Sequence, residues 1–188
     1  MQEKHAFYKI ITIFIHFLVI SNQIHAQTFE TKSANISFEI PELAQLCITP
    51  STAAITLQLG ATSVDGKKIS TASTTNNSKW INYTSILKPD SPLRNISAQI
   101  IDGKIPNGTS LHLTTNNYEG LGEGQHGKAK AIVLSHLSQH IITNIGGAAT
   151  GKGQQGHQLS YVLKIIDYSL LNTENANTLT VVYTLAEN

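Results

Sequence analysis

Apolar and polar residues alternate with period two along most of the chain. Ile36, Phe38 and Ile40 alternate with Ser37 and Glu39 before Pro41. Ile55, Leu57 and Leu59 alternate with Thr56 and Gln58 up to Gly60. The same pattern recurs at Ile96, Ala98 and Ile100, at Leu111 and Leu113, and at Leu159, Tyr161, Leu163 and Ile165. Side chains of an extended strand point to opposite faces in turn, so each run predicts a strand with one buried face. Residues 80–85, 131–134, 139–145 and 178–185 add runs rich in β-branched and aromatic residues, which favour strands. Asp65-Gly66, Asp102-Gly103 and Asn107-Gly108 fall between runs and suit tight turns with positive φ. Helical spacing is scarce. Ser135–Ile142 is the best helix candidate and is too short to stand alone, and Tyr168–Asn175 has room for one turn.

The pattern predicts an all-β fold, an antiparallel immunoglobulin-like (Greek-key) β-sandwich of about 7–9 strands. Trp80 opens a central run and reads as the core tryptophan of such a sandwich, and Tyr161 reads as inward-facing too. A disulfide within the chain is excluded, because the chain has one Cys. Cys47 stands among Leu43, Leu46 and Ile48 and reads as a small core residue.

The N-terminus is patterned differently. Lys4 and Lys9 precede an apolar run from Ile10 to Ile20, then a polar patch, then Ile24-His25-Ala26. The run is about half the roughly 20 residues of a spanning helix. Residues 1–26 therefore read as a secretory signal peptide cleaved after Ala26. Residues 27–188 read as a single β-sandwich domain, with 27–40 as a candidate extended N-terminal strand. Such a strand can complete its own sheet or donate to a neighbour's edge.

Composition narrows the function classes. The chain carries 13 Lys+Arg and 12 Asp+Glu, and charged residues make up 13% of it. Without a basic excess or stripe, nucleic acid is not an expected partner. Nor is an integral membrane segment expected after the signal. Residues 1–26 take away Lys4, Lys9 and Glu3 and leave the rest electrically balanced.

Motifs that carry chemistry are imitated here, not met. Gly146–Gly153 fits G-x-x-x-x-G-K, but Gly153 stands where a phosphate loop needs a Ser or Thr hydroxyl, and a strand pattern follows in place of a helix. Gly122, Gly124 and Gly127 fit G-x-G-x-x-G without a βαβ frame, and Glu119 and Glu123 beside them are too few for a calcium cage. His112, His126, His136, His140 and His157 read as scattered surface histidines, although 136 and 140 would share one helix face. No G-x-S-x-G elbow occurs. No catalytic residue, metal site or cofactor is expected, and the chain reads as a non-enzyme. N-x-S/T triplets begin at Asn35, Asn76, Asn82, Asn95 and Asn107.

The segments Ala54–Leu57, Lys79–Ser85, Arg94–Ile100, Ile105–Thr109, Ile141–Gly146, Gly156–Tyr161, Asp167-Tyr168 and Thr180–Leu185 resemble a set of secreted β-sandwich proteins of Bacteroidota. More distantly, the pattern resembles fimbrial pilin and spore-coat-U-type subunits. The chain departs from pilins in lacking their cysteine pair and in carrying Glu187 where they often have Tyr. The expected role is a secreted or cell-surface structural or adhesive protein, periplasmic passage included, whose partners are like subunits or surface glycans. The alternative is an extracellular carbohydrate-binding module. Its candidate ligand-binding residues are Tyr118, as an aromatic platform, with Asn116 and Asn117 in the same loop.

Overall fold

The computed structural model describes residues 32–59, 66–67, 75–172 and 178–187. The signal expected in 1–26 lies outside these residues. The chain divides into two units, Met1–Glu39 and Ile40–Asn188. Of the first, residues 32–39 carry no regular secondary structure, and Ile36 and Phe38 are exposed. The strand expected over 36–40 is not formed there.

The second unit is all-β. Its strands are β1 (Leu43–Thr49), β2 (Thr75–Ile86), β3 (Arg94–Asp102), β4 (Thr109–Thr115), β5 (Glu123–Gly124), β6 (Lys128–Ala129), β7 (Ala131–Val133), β8 (Gln139–Ile145), β9 (Ala148–Ala149), β10 (His157–Ile165) and β11 (Thr180–Glu187). Single 3-10 turns occur at Gly153–Gln155 and Tyr168–Leu170, the latter inside the segment with room for one helical turn. Two antiparallel sheets result and pack in the manner of a β-sandwich. The first has seven strands in the order β5-β9-β2-β10-β4-β7, with β1 on the opposite edge of β2. The second has four, β11-β3-β8-β6.

In β3, β4 and β10 the alternation of the sequence matches the buried face. Ile81 and Tyr83 of β2, Ile96, Ala98 and Ile100 of β3, Leu111 and Leu113 of β4, Ile141, Ile142 and Ile145 of β8, and Leu159 and Tyr161 of β10 form one core. Burying an Ile or Leu side chain fully stabilises by about 1.5–3 kcal/mol. Polar bridges join the sheets across this core. The hydroxyls of Tyr161 in β10 and Tyr183 in β11 bond each other. Burial raises both phenols above their ordinary range, so the pair stays neutral. The guanidinium of Arg94, at the start of β3, donates to the carbonyls of Leu43 and Ile86 and to Ser85 Oγ, and it pairs with Glu42 and Glu187. Four strands meet on that one buried cation.

Several elements depart from expectation. β1 was not signalled, because Leu43, Leu46, Cys47 and Ile48 do not alternate. Residues 55–59 do alternate, with Ile55, Leu57 and Leu59 half-buried and Thr56 and Gln58 exposed, yet they form no strand. Residues 135–138 are a loop and 139–142 the start of β8, so no helix forms there. Cys47 is exposed and not a core residue, because β1 turns it away from Leu46 and Ile48. Trp80 is not the core tryptophan. Its β2 neighbours Lys79 and Ile81 are buried, so Trp80 points to the outer face of the first sheet, where it is half-buried. Tyr161 is in the core as expected.

Candidate functional site

The loop after β4 carries Asn116, Asn117 and Tyr118. Asn116 extends the β4–β10 ladder by one residue, its N–H donating to the Gln158 carbonyl at 2.9 Å. Asn116 and Asn117 are exposed, while Tyr118 is half-buried. The Tyr118 ring stacks on His126 with centroids 3.7 Å apart and planes 19° from parallel. Its hydroxyl donates to the Thr150 carbonyl at 3.0 Å and accepts from the Gly122 N–H at 2.6 Å. One ring face and the hydroxyl are thus engaged within the protein.

Beneath Tyr118 lies a closed cluster of rings. His157 opens β10 and has no exposed surface. Its Nδ1–H donates to the Asn116 carbonyl at 2.8 Å, which leaves Nε2 facing Tyr83 Oη at 3.0 Å. The Tyr83 hydroxyl also bonds the His126 carbonyl. Tyr83 and His157 stack with centroids 5.8 Å apart, and Tyr118 tilts against His157 at 5.5 Å. Burial holds His157 below its ordinary value of 6.5, against the pull of the Asn116 and His126 carbonyls. Burial likewise raises the Tyr83 phenol. Neutral imidazole and neutral phenol suit a clamp that ties β2, β10 and the loops at this pole together.

The Gly-rich loops serve the same pole. A Cβ on Gly122 would lie 2.0 Å from the Ala149 carbonyl, and Gly124, at φ +97°, would meet the Gly147 carbonyl at the same distance. These glycines let the 122–124 backbone lie on the 147–149 backbone, which gives Gly122 and Gly124 a structural role. Gly146–Gly153 leads into the 3-10 turn Gly153–Gln155, from which the Gly153 carbonyl accepts from Asn82 Nδ2 at 2.9 Å.

The other histidines stand apart. His112 Nε2 bonds Ser110 Oγ at 3.0 Å on β4, and His136 Nδ1 lies 3.1 Å from the Ile100 carbonyl. His140 is exposed on β8. Among the described residues, no three His, Cys, Asp or Glu side chains converge to hold a metal.

Above the clamp, the outer face of the first sheet carries a cross-strand row. Trp80 of β2 is the direct partner of Gln158 of β10. Asn116 Nδ2 donates to Gln158 Oε1 at 3.1 Å, and Gln158 Nε2 donates to the Asn77 carbonyl at 3.0 Å. Of these residues, only Asn116 was singled out from sequence for binding.

A third feature is an edge. β11 pairs with β3 alone, and among the described residues nothing pairs with its other edge. The inward side chains Val181, Tyr183 and Leu185 reach the core but are only half-buried. Leu46 and Ile48 of β1, with Ile55 and Leu57 beyond it, are half-buried against the same core.

No family model, curated protein or solved structure matches the chain. Among the described residues, no helix is long and apolar enough to cross a membrane. Sequence reading missed the burial of His157, although a signal was present: His157 stands in phase with Leu159, Tyr161 and Leu163. It also placed Trp80 on the wrong face. In 80–85 each face of the strand carries one aromatic residue, and the alternation alone does not choose between them.

Proposed function

We propose that the protein is a secreted, non-enzymatic structural subunit of an extracellular assembly, built as an immunoglobulin-like Greek key in which no described strand fills the last position. The free edge of β11 carries this reading. In an immunoglobulin-type sandwich one sheet runs A-B-E-D and the other holds C, F and G, with G at the edge beside F. The order β1-β2-β10-β4 corresponds to the first sheet when β3 is C, β10 is E and β11 is F. β3 beside β11 then corresponds to C beside F, and no described strand takes the place of G. Val181, Tyr183 and Leu185 are half-covered at that place.

A free strand edge presents a row of backbone donors and acceptors that a further strand can use. Residues 36–40 of a second copy are the occupant. Their three alternating apolar side chains, Ile36, Phe38 and Ile40, are exposed in this chain and equal in number to the inward positions of β11. The export signal read in residues 1–26 fits assembly at the cell surface.

The test compares residues 27–188 with the same protein carrying Ile36→Asp and Phe38→Asp. Expected are concentration-dependent oligomers that survive detergent until boiled, absent from the double variant. A synthetic peptide of residues 33–42 should also bind the variant. A chain that stays monomeric at every concentration and ignores the peptide overturns the reading.

A further inference from the structure

We propose a separate binding site on the outer face of the first sheet, where a neutral oligosaccharide lies across Trp80, Gln158 and Asn116. It does not depend on strand addition at β11.

Trp80 and Gln158 occupy adjacent strands, and Asn116 directly follows β4 on the other side of β10. Trp80 and Gln158 are Cα partners in the β2–β10 pairing, and Asn116 is held beside Gln158 by a main-chain and a side-chain hydrogen bond. A row across three strands spans about 10 Å, room for a short oligosaccharide. Trp80, half-buried, offers an apolar ring beside the polar Gln158, Ser160 and Thr114, the surface that the C–H face of a pyranose covers. The amides supply the polar contacts. Gln158 uses its oxygen on Asn116 and one N–H on Asn77, so its side chain is already fixed and keeps a second N–H. Asn116 keeps its oxygen and one N–H. Paired donors and acceptors, pre-set on rigid strands, match adjacent sugar hydroxyls at little ordering cost.

The side chains next to the row are uncharged. Outward positions next to the row are Ser160 and Thr114, with Thr49 of β1 opposite Trp80. His112, Val162 and Lys164 follow towards the far end of β4 and β10, and no carboxylate stands among the outward positions of β2, β4 or β10. Burial, and then Lys164, hold His112 below its ordinary value, so it too is uncharged at neutral pH. Hydroxyls and amides around one indole form a site for a neutral sugar. Tyr118, whose ring lies on His126, belongs to the clamp beneath and not to this platform.

Trp80 is the only Trp in the chain, so its fluorescence reads the site directly. Residues 27–188 are titrated with cellohexaose, xylohexaose, mannohexaose and, as the acidic probe, hexagalacturonate. The expected result is a saturable change in Trp80 emission with at least one neutral probe and none with the acidic one. Gln158→Ala and Asn116→Ala should each weaken that binding by about three- to tenfold, the loss of one or two modest hydrogen bonds. Matching circular dichroism spectra would show that both variants keep the fold. No saturable change with any neutral probe overturns the proposal. So does binding of the acidic probe alone, or binding that both variants leave unchanged. The double variant Ile36→Asp/Phe38→Asp should bind sugar as the parent does, which separates this site from assembly.

Discussion

On the flank built from β4, β8 and β10, apolar side chains are sealed. Leu113, Ile141 and Leu159 have no exposed surface. On the flank built from β1, residues 55–57 and β11, side chains of the same chemistry are only half covered, among them Leu46, Ile48, Leu57, Val181 and Leu185. Residue type does not explain the difference. Strand neighbours do, because β4 and β10 each have a partner on both edges, whereas among the described residues β1 and β11 have one. A core of this kind is limited by its count of strands before its count of apolar residues.

The comparison can be broken most forcefully where the two sheets are tied together. Arg94→Ala removes the buried guanidinium from Leu43, Ser85 and Ile86 and leaves buried acceptors without a donor. A loss of about 3 kcal/mol in urea unfolding is expected. Leu159→Ala, on the sealed flank, should cost about 3 kcal/mol by the same measurement, as transfer and cavity terms add. Leu57→Ala, half-buried at the open flank, should cost about 1 kcal/mol. Equal losses at 159 and 57 would show that both flanks are equally closed. Adding the 33–42 peptide sharpens the contrast: the cost of Leu185→Ala should rise once β11 has a partner on its free edge.

The smallest effect concerns pH. His157 is neutral in the folded protein below the pH at which an unfolded histidine is protonated, because burial lowers it from 6.5. The unfolded state then binds the extra proton, so this contribution is complete above 6.5 and is lost as pH falls below it. The urea midpoint should therefore be flat from pH 8 to pH 7 and decline from about 6.5 towards 5, above the carboxylate range. His157→Gln should flatten that decline, whereas His112→Gln should leave most of it.

Much of the sandwich was legible in its alternation. In β3, β4 and β10 period two declares both the strand and its buried face. β1 escaped because an edge strand with one covered side tolerates Ala44, Gln45 and Cys47 in the exposed positions. Residues 55–59 show the opposite case: alternation there reports which side chains are half-buried, in a segment that is not a strand. The candidate site was less legible. Asn116 was found because amides gather in its loop. Trp80 and Gln158 were not, because their meeting is a matter of register between β2 and β10, some eighty positions apart, and period two within either strand carries no register.

Two of the N-x-S/T triplets have a consequence for production. Asn82 and Asn95 are buried, and both side chains are committed, Asn82 to the Gly153 carbonyl and Asn95 to the Asn144 N–H. A host that glycosylates asparagine acts on the chain during export, before β2 and β3 have closed over these positions. A glycan placed there leaves the sheets no way to pack, so the modified molecules would be held back or degraded. Asn35 and Asn107 are exposed and would carry a glycan without harm. Expression in such a host therefore calls for Thr84→Val and Ser97→Ala, which cancel the two acceptor triplets and leave both asparagines in place.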